Sequence, residues 1–341
     1  MKQYEFGRYG EKTVFAYTLT SENVSVTVIE YGARIQSLTV DGVPIVCGFS
    51  CLDGYLADQD YHGAIVGRYA NRIKDGKFRL NGKTYTLVQN EEARHCHLHG
   101  GRVGYSARLW TLSDYGENFL TLSLFSPDGE EGYPGNLTVE VRYTLQNDAL
   151  TIAYTAKSDA DTVINLTNHT YFNLGGVGKE SVCDETLTLF ADAVAEVDET
   201  LIPTGKLLPV ENTPFDFNRA KKIGRDIDER HPQLIIGNGY DHGFRLTSHA
   251  PAAILSSEKS GITMEIDTTE GALQVYTANF MTANRCFFKT IPQKKREAVA
   301  LEANCLPDSP NRPEFPSPIL KAGEVYRQTT TYRFYQSETS E

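Results

Sequence analysis

Along much of this chain apolar and polar residues alternate one for one, the pattern of strands with one buried face. Val139, Val141 and Tyr143 alternate with Thr138, Glu140 and Arg142, which predicts a half-buried strand. Residues 73–87 predict a β-meander. There Asp75-Gly76 and Asn81-Gly82 flank Lys77-Phe78-Arg79-Leu80, and Thr84-Tyr85-Thr86-Leu87 follows. Asp-Gly and Asn-Gly supply the positive φ that tight hairpin turns demand. Asp41-Gly42 and Asp128-Gly129 mark further turns. Residues 151–154, 162–166, 185–189 and 325–335 read as strands of the same style. Helical patterning is scarce: the best candidate runs from Arg219 to Glu229, and Gly224 weakens it. The Pro-rich stretch from Pro307 to Pro318 reads as a rigid, ordered loop. The polar end from Gln336 is expected to fray. Regularly spaced strands with little helix point to a sandwich or barrel, not to strand–helix alternation.

No repeat, low-complexity segment or linker divides the sequence, so residues 1–341 are expected to form one large all-β domain. The net charge of −11 argues against nucleic acid, whose binding rests on Lys and Arg neutralising phosphates. It also weakens a polyanionic or sugar-phosphate substrate, unless a local basic pocket overrides the global sign. After Met1-Lys2-Gln3-Tyr4-Glu5-Phe6 no apolar signal segment follows, and no run is long enough to span a membrane. The six cysteines, at 47, 51, 96, 183, 286 and 305, form no Cys-x-x-Cys pair. Reduced thiols and a cytoplasmic address are the expectation.

Candidate chemistry sits in a few segments. His169, in Asn168-His169-Thr170-Tyr171-Phe172-Asn173-Leu174, follows the apolar strand 162–166 and titrates where protons move at neutral pH. Glu302 sits in the apolar Val299-Ala300-Leu301-Glu302-Ala303, just after a charged stretch, and that contrast favours burial. A buried glutamate must be paired or its pKa climbs. Asn71-Arg72 offers an amide and a fork of donors suited to vicinal hydroxyls, although a structural ion pair is an equal reading of Arg72. Asp241, in a Gly-Tyr-Asp-His turn, can accept from hydroxyls or close an Asx turn. Gln274, on a strand, is either a ligand or a core amide. His95, His97 and His99 alternate, so one shared face and a metal site come into view, yet no acid with ligand spacing lies nearby. His99 alone precedes Gly100-Gly101, which lets the backbone close around a ligand. Trp110 reads as a packing residue. Asp308-Ser309-Pro310-Asn311 reads as a fastener for the segment bearing Glu302.

Taken together these segments resemble the galactose mutarotases (aldose 1-epimerases). The resemblance runs from Tyr31-Gly32-Ala33 to the final strand. It takes in residues 67–73, 98–101, 131–137, 168–174, 240–242 and 301–311. It implies a large antiparallel β-sandwich of the mutarotase-like supersandwich type, with few short helices. It implies interconversion of the α and β anomers of a free aldohexose such as galactose or glucose. The residue matching Glu302 is then the general base and the one matching His169 the general acid. Asn71, Arg72, His99, Asp241 and Gln274 would bind the sugar. No metal or organic cofactor is implied, and the partner is a small monosaccharide, with no nucleic acid and no membrane. The oligomeric state is left between monomer and homodimer. In this scheme His169 starts protonated and Glu302 ionised. The rivals are a glycoside hydrolase using Asp241 and Glu302 as its carboxylates, a hexose-6-phosphate epimerase needing a basic cluster, and a non-catalytic sugar-binding module.

Overall fold

The computed structural model describes residues 1–282 and 285–336. Three antiparallel sheets carry the architecture. Near the N-terminus, Lys2–Tyr9, Lys12–Thr20, Val24–Ile29, Arg34–Val40 and Val43–Pro44 form a five-stranded sheet in chain order. A nine-stranded sheet runs Thr111–Tyr115, Phe119–Ser126, Leu137–Gln146, Ala149–Ser158, Val325–Gln336, Ile262–Thr268, Ala253–Ser256, Thr186–Leu189, Lys221–Lys222. A six-stranded sheet runs Tyr171–Phe172, Val299–Asn304, Ala272–Tyr276, Asp241–Leu246, Ala191–Val197, Pro203–Pro209.

One apolar cluster joins all three. Val26 and Val28 from the first sheet, Val139, Val141 and Ile152 from the second, and Leu273, Val275 and Leu301 from the third belong to it. The alternation in Leu137–Gln146 is the one expected: odd-numbered residues 137–145 are buried, and their even neighbours mostly face solvent. Layered antiparallel sheets around a shared core, with only two short α-helices among the described residues, Leu52–Leu56 and Pro232–Gly237, make this an all-β sandwich.

The turns behave as their residues demand. Asp75, Gly76, Asn81 and Gly82 all have positive φ, and Lys77–Leu80 pairs with Lys83–Thr86 in a tight hairpin. The third member of the expected meander, Arg72–Lys74, pairs instead with Cys96–Leu98. Two further expectations are corrected. Residues 219–229 are not an α-helix. Lys221–Lys222 pairs at the sheet edge and a 3₁₀ turn, Ile223–Arg225, follows. Lys221 Nζ bonds to Pro214 O and Asp226, which holds the segment to its neighbours rather than to itself. Residues 162–166 are not one strand. Thr162–Val163 pairs with Ile319–Leu320, and Thr167–Asn168 then pairs with Ile65–Val66. The residues that follow Gln336, where fraying was expected, lie outside the described residues. The last strand matches its expected range to one residue.

Candidate functional site

Period-two alternation in the six-stranded sheet sends Leu273, Val275 and Leu301 into the core and their neighbours to the opposite face. In register, Gly243 lies opposite Gln274 and Gln274 opposite Glu302, while Asp241 lies opposite Tyr276. Glu302, Gln274 and Asp241 therefore share the far face. All six residues of Val299–Asn304 are nonetheless buried, because that face is roofed by loops. His169 lies two residues before Tyr171, in the short link from Thr167–Asn168 to Tyr171–Phe172, which pairs with the strand of Glu302. Its backbone is clamped on both sides: its N–H donates to Ala64 O at 2.8 Å, and its carbonyl accepts from Gly63 N at 2.9 Å.

The result is a pocket of about 300 Å³ lined by His169, Glu302, Asn71, Arg72, His99 and Asp241, among others. These six come from five separate stretches of the chain, and none is more than 8% exposed. His169 Nε2 stands 3.5 Å from Glu302 Oε1. Gln274, the remaining candidate, lies one layer back, where its Nε2 donates to Asp241 Oδ1 at 2.8 Å. Arg72 donates to Glu91 and lies 3.8 Å from Asp241, so the ion-pair reading and the pocket reading of this residue both hold. Asn71, at φ 65°, donates its backbone N–H to His99 Nδ1 at 3.1 Å. That bond fixes the neutral tautomer of His99 with its proton on Nε2, as a donor.

Burial dominates the electrostatics. It pushes the Glu302 carboxyl up to about 8, with Asp241 adding to the rise and Arg72 opposing it. It pushes the His169 imidazole down to about 3. His99 is also held well below the ordinary range, by burial and then by the nearby His169. The free pocket thus favours a neutral imidazole beside a protonated carboxyl, the reverse of the starting state expected from sequence. Both arrangements carry one proton between the two groups, so they differ only in where it sits.

The alternating histidines do not act together. His95 and His99 each have φ 51°, which breaks the extended run, and His95 is exposed. His97 is held by Val88 O on Nδ1 and by the Tyr133 hydroxyl on Nε2. His99, His169 and Glu302 do bring ligand atoms within 4.8 Å of one another. A cation on His99 Nε2 would need the ring proton moved to Nδ1, where the Asn71 N–H already points. Hydrogen-bond donation suits His99 better than metal ligation.

Sequence reasoning missed Tyr61, Glu91, Arg94 and Phe280, all in the wall. The Tyr61 ring lies 4.6 Å from that of His99 and 5.9 Å from that of His169. It is carried by a loop wrapped around the buried Asp58 carboxylate, which accepts from Arg34 and from His62 Nδ1 and N–H. Glu91 and Arg94 stand in a charged Glu-Glu-Ala-Arg stretch that reads as solvated surface, and nothing in its spacing marks a pocket.

A family model described as aldose 1-epimerase matches residues 16–333. The chain belongs to the aldose 1-epimerase family. A galactose mutarotase of Mus musculus is 40% identical over 335 residues, covering 95% of each chain. An aldose 1-epimerase of Haemophilus influenzae is 40% identical over 333 residues, covering 93% of this chain and 94% of its own. A solved galactose 1-epimerase from Lactobacillus acidophilus superposes with a TM-score of 0.89 at 30% identity, covering 99% of both chains. As a member of this family the protein is an enzyme, a carbohydrate epimerase acting at the anomeric carbon of an aldose.

Proposed function

We propose that this epimerase interconverts the anomers of a free aldohexose, galactose or glucose, with Glu302 and His169 as its acid–base couple. The observation that carries this reading is the 3.5 Å approach of His169 Nε2 to Glu302 Oε1 inside the pocket. Glu302 takes the proton of the anomeric hydroxyl while His169 protonates the ring oxygen. The ring opens to the aldehyde, the C1–C2 bond rotates, and closure on the other face returns both protons. A bound sugar stabilises the ion pair, because it donates a hydroxyl to the carboxylate and accepts from the imidazolium. Paired acid and base catalysis, worth roughly 10²–10⁴-fold for each group, is enough for a reaction that already proceeds in water.

Arg72, His99 and Asn71 serve as donors to the sugar hydroxyls and Asp241 as an acceptor, with Gln274 holding the Asp241 carboxylate in place. A neutral sugar suits the charge balance better than a hexose phosphate, because Arg72 and Arg94 both already pair with Glu91. A cytoplasmic address and a monomer or homodimer go with this reading. No helix among the described residues is long and apolar enough to cross a membrane.

Polarimetry on freshly dissolved α-galactose and α-glucose tests the reading directly. The expected result is decay of optical rotation well above the spontaneous rate, with no chromophore released from aryl galactosides. Decay at the spontaneous rate for every aldose tried would remove the proposal.

A further inference from the structure

The guanidinium of Arg72 carries its donors in a planar fork. Glu91 occupies one edge of that fork. Nε donates to Oε2 at 2.8 Å and Nη2 to Oε1 at 3.4 Å. The remaining nitrogen, Nη1, lies 3.8 Å from Asp241 Oδ2 and makes no hydrogen bond among the described residues. Glu91 gathers more than Arg72. Arg94 Nη1 donates to its Oε1, and the Cys96 thiol donates to its Oε2 at 3.1 Å. Its backbone bridges to Cys96, and Cys96–Leu98 pairs with Arg72–Lys74. The carboxylate is thus fixed to the strand adjoining the one that carries Arg72. Against the upward push of burial, Arg72 holds the Glu91 carboxyl below its usual range. Across the pocket mouth the Arg94 guanidinium, pinned by the same carboxylate, lies 5.8 Å from the centre of the Phe280 ring.

We propose that Glu91 is a positioning residue for the anomer interconversion: it engages the Nε–Nη2 edge of the Arg72 fork so that the Nη1 end faces the sugar. An arginine without this partner samples many rotamers, and ordering it must then come out of the binding energy. With Glu91 in place the donor is preorganised beside Asp241. The inference rests on the reading of Arg72 as a sugar-binding residue, and the experiment separates the two.

Steady-state polarimetric kinetics would compare Glu91→Ala, Glu91→Gln, Arg72→Ala and both double variants, with thermal melts alongside. Arg72→Ala is expected to raise KM. Glu91→Ala is expected to raise KM roughly tenfold with kcat changed by less than about threefold, the mark of lost binding that is uniform between ground and transition state. Glu91→Gln keeps the size and one acceptor and should fall between Glu91→Ala and the parent. It carries the test if Glu91→Ala does not fold. In the Arg72→Ala background neither Glu91 change should add a further KM effect. Unchanged kinetics in both Glu91 variants, or effects that add fully to that of Arg72→Ala, would overturn the positioning role. A normal KM in Arg72→Ala would instead overturn the sugar-binding reading beneath it, and this proposal with it.

Discussion

Among the described residues, His169 Nδ1 and Glu302 Oε2 are buried without a hydrogen-bond partner. Groups left in this way cost stability, and a ligand that satisfies them recovers part of that cost. Replacing either catalytic candidate should therefore harm turnover far more than folding. His169→Ala and Glu302→Gln are each expected to lower kcat by about 10²–10⁴-fold in polarimetric assays, with unchanged far-ultraviolet circular dichroism. Glu302 also links function to pH. Its folded pKa, about 8, stands above the unfolded value near ~4.3, so its contribution to stability is complete below the unfolded value and is lost as pH rises toward 8. Glu302→Gln should accordingly raise the melting temperature more at pH 8.5 than at pH 5, a comparison calorimetry makes directly. The competent pair holds one proton, which it keeps between about 3 and about 8. After subtraction of the spontaneous rate, kcat/KM should be level through neutrality and fall above about pH 8. A profile that climbs steadily through pH 9 would contradict the shared-proton couple. At this scale the residue types were readable, since a histidine and a glutamate in apolar company announce proton chemistry. Their protonation was not, because it depends on how completely loops from elsewhere cover them.

Local segments explain why particular residues surround the proposed acid–base pair. Gly100 has φ 85°, and a Cβ there would fall 1.8 Å from Gly67 O, a main-chain atom with little room to yield. Gly100→Ala should displace His99 and lower kcat/KM on the order of 100-fold, since misplacements near 1 Å already cost that much. Kinetics beside a crystal structure of the variant would show both effects. Asp308 ties two segments together. It accepts from Lys74 N–H at 3.0 Å, Asn311 Nδ2 at 2.7 Å and Arg312 Nε at 2.9 Å, and its own N–H donates to Arg72 O. Asp308→Ala strands these donors and should cost about 1–3 kcal/mol in urea unfolding. The Asp-Gly and Asn-Gly turns were legible because their chemistry is local. The shared face expected of the histidine run is lost because two left-handed residues interrupt it, while His99 alone of the three lines the pocket, and the expected helix at 219–229 failed because a sheet edge and the Lys221–Asp226 pair outcompeted weak propensity.

Over the whole molecule, the pocket depends on sheet order, and that order is not written locally. Val325–Gln336 lies between Ala149–Ser158 and Ile262–Thr268, and Val299–Asn304 lies between Tyr171–Phe172 and Ala272–Tyr276. Alternation foretold that such strands exist, but which remote pair meets is decided by packing across the shared core. The net charge of −11 adds a long-range term that disfavours anions. Galactose 6-phosphate should therefore show a KM at least about tenfold above that of galactose at low ionic strength, with the gap narrowing as salt is added. The single tryptophan gives the molecule a built-in reporter. Trp110 is 1% exposed, its indole N–H donates to Tyr105 O, and Tyr105 N–H in turn donates to Gly67 O, the atom on which Gly100 packs. Light emitted by this one indole follows the masonry behind His99 rather than an average over the protein. A red shift during denaturation should therefore keep time with the disappearance of catalysis, with no label attached.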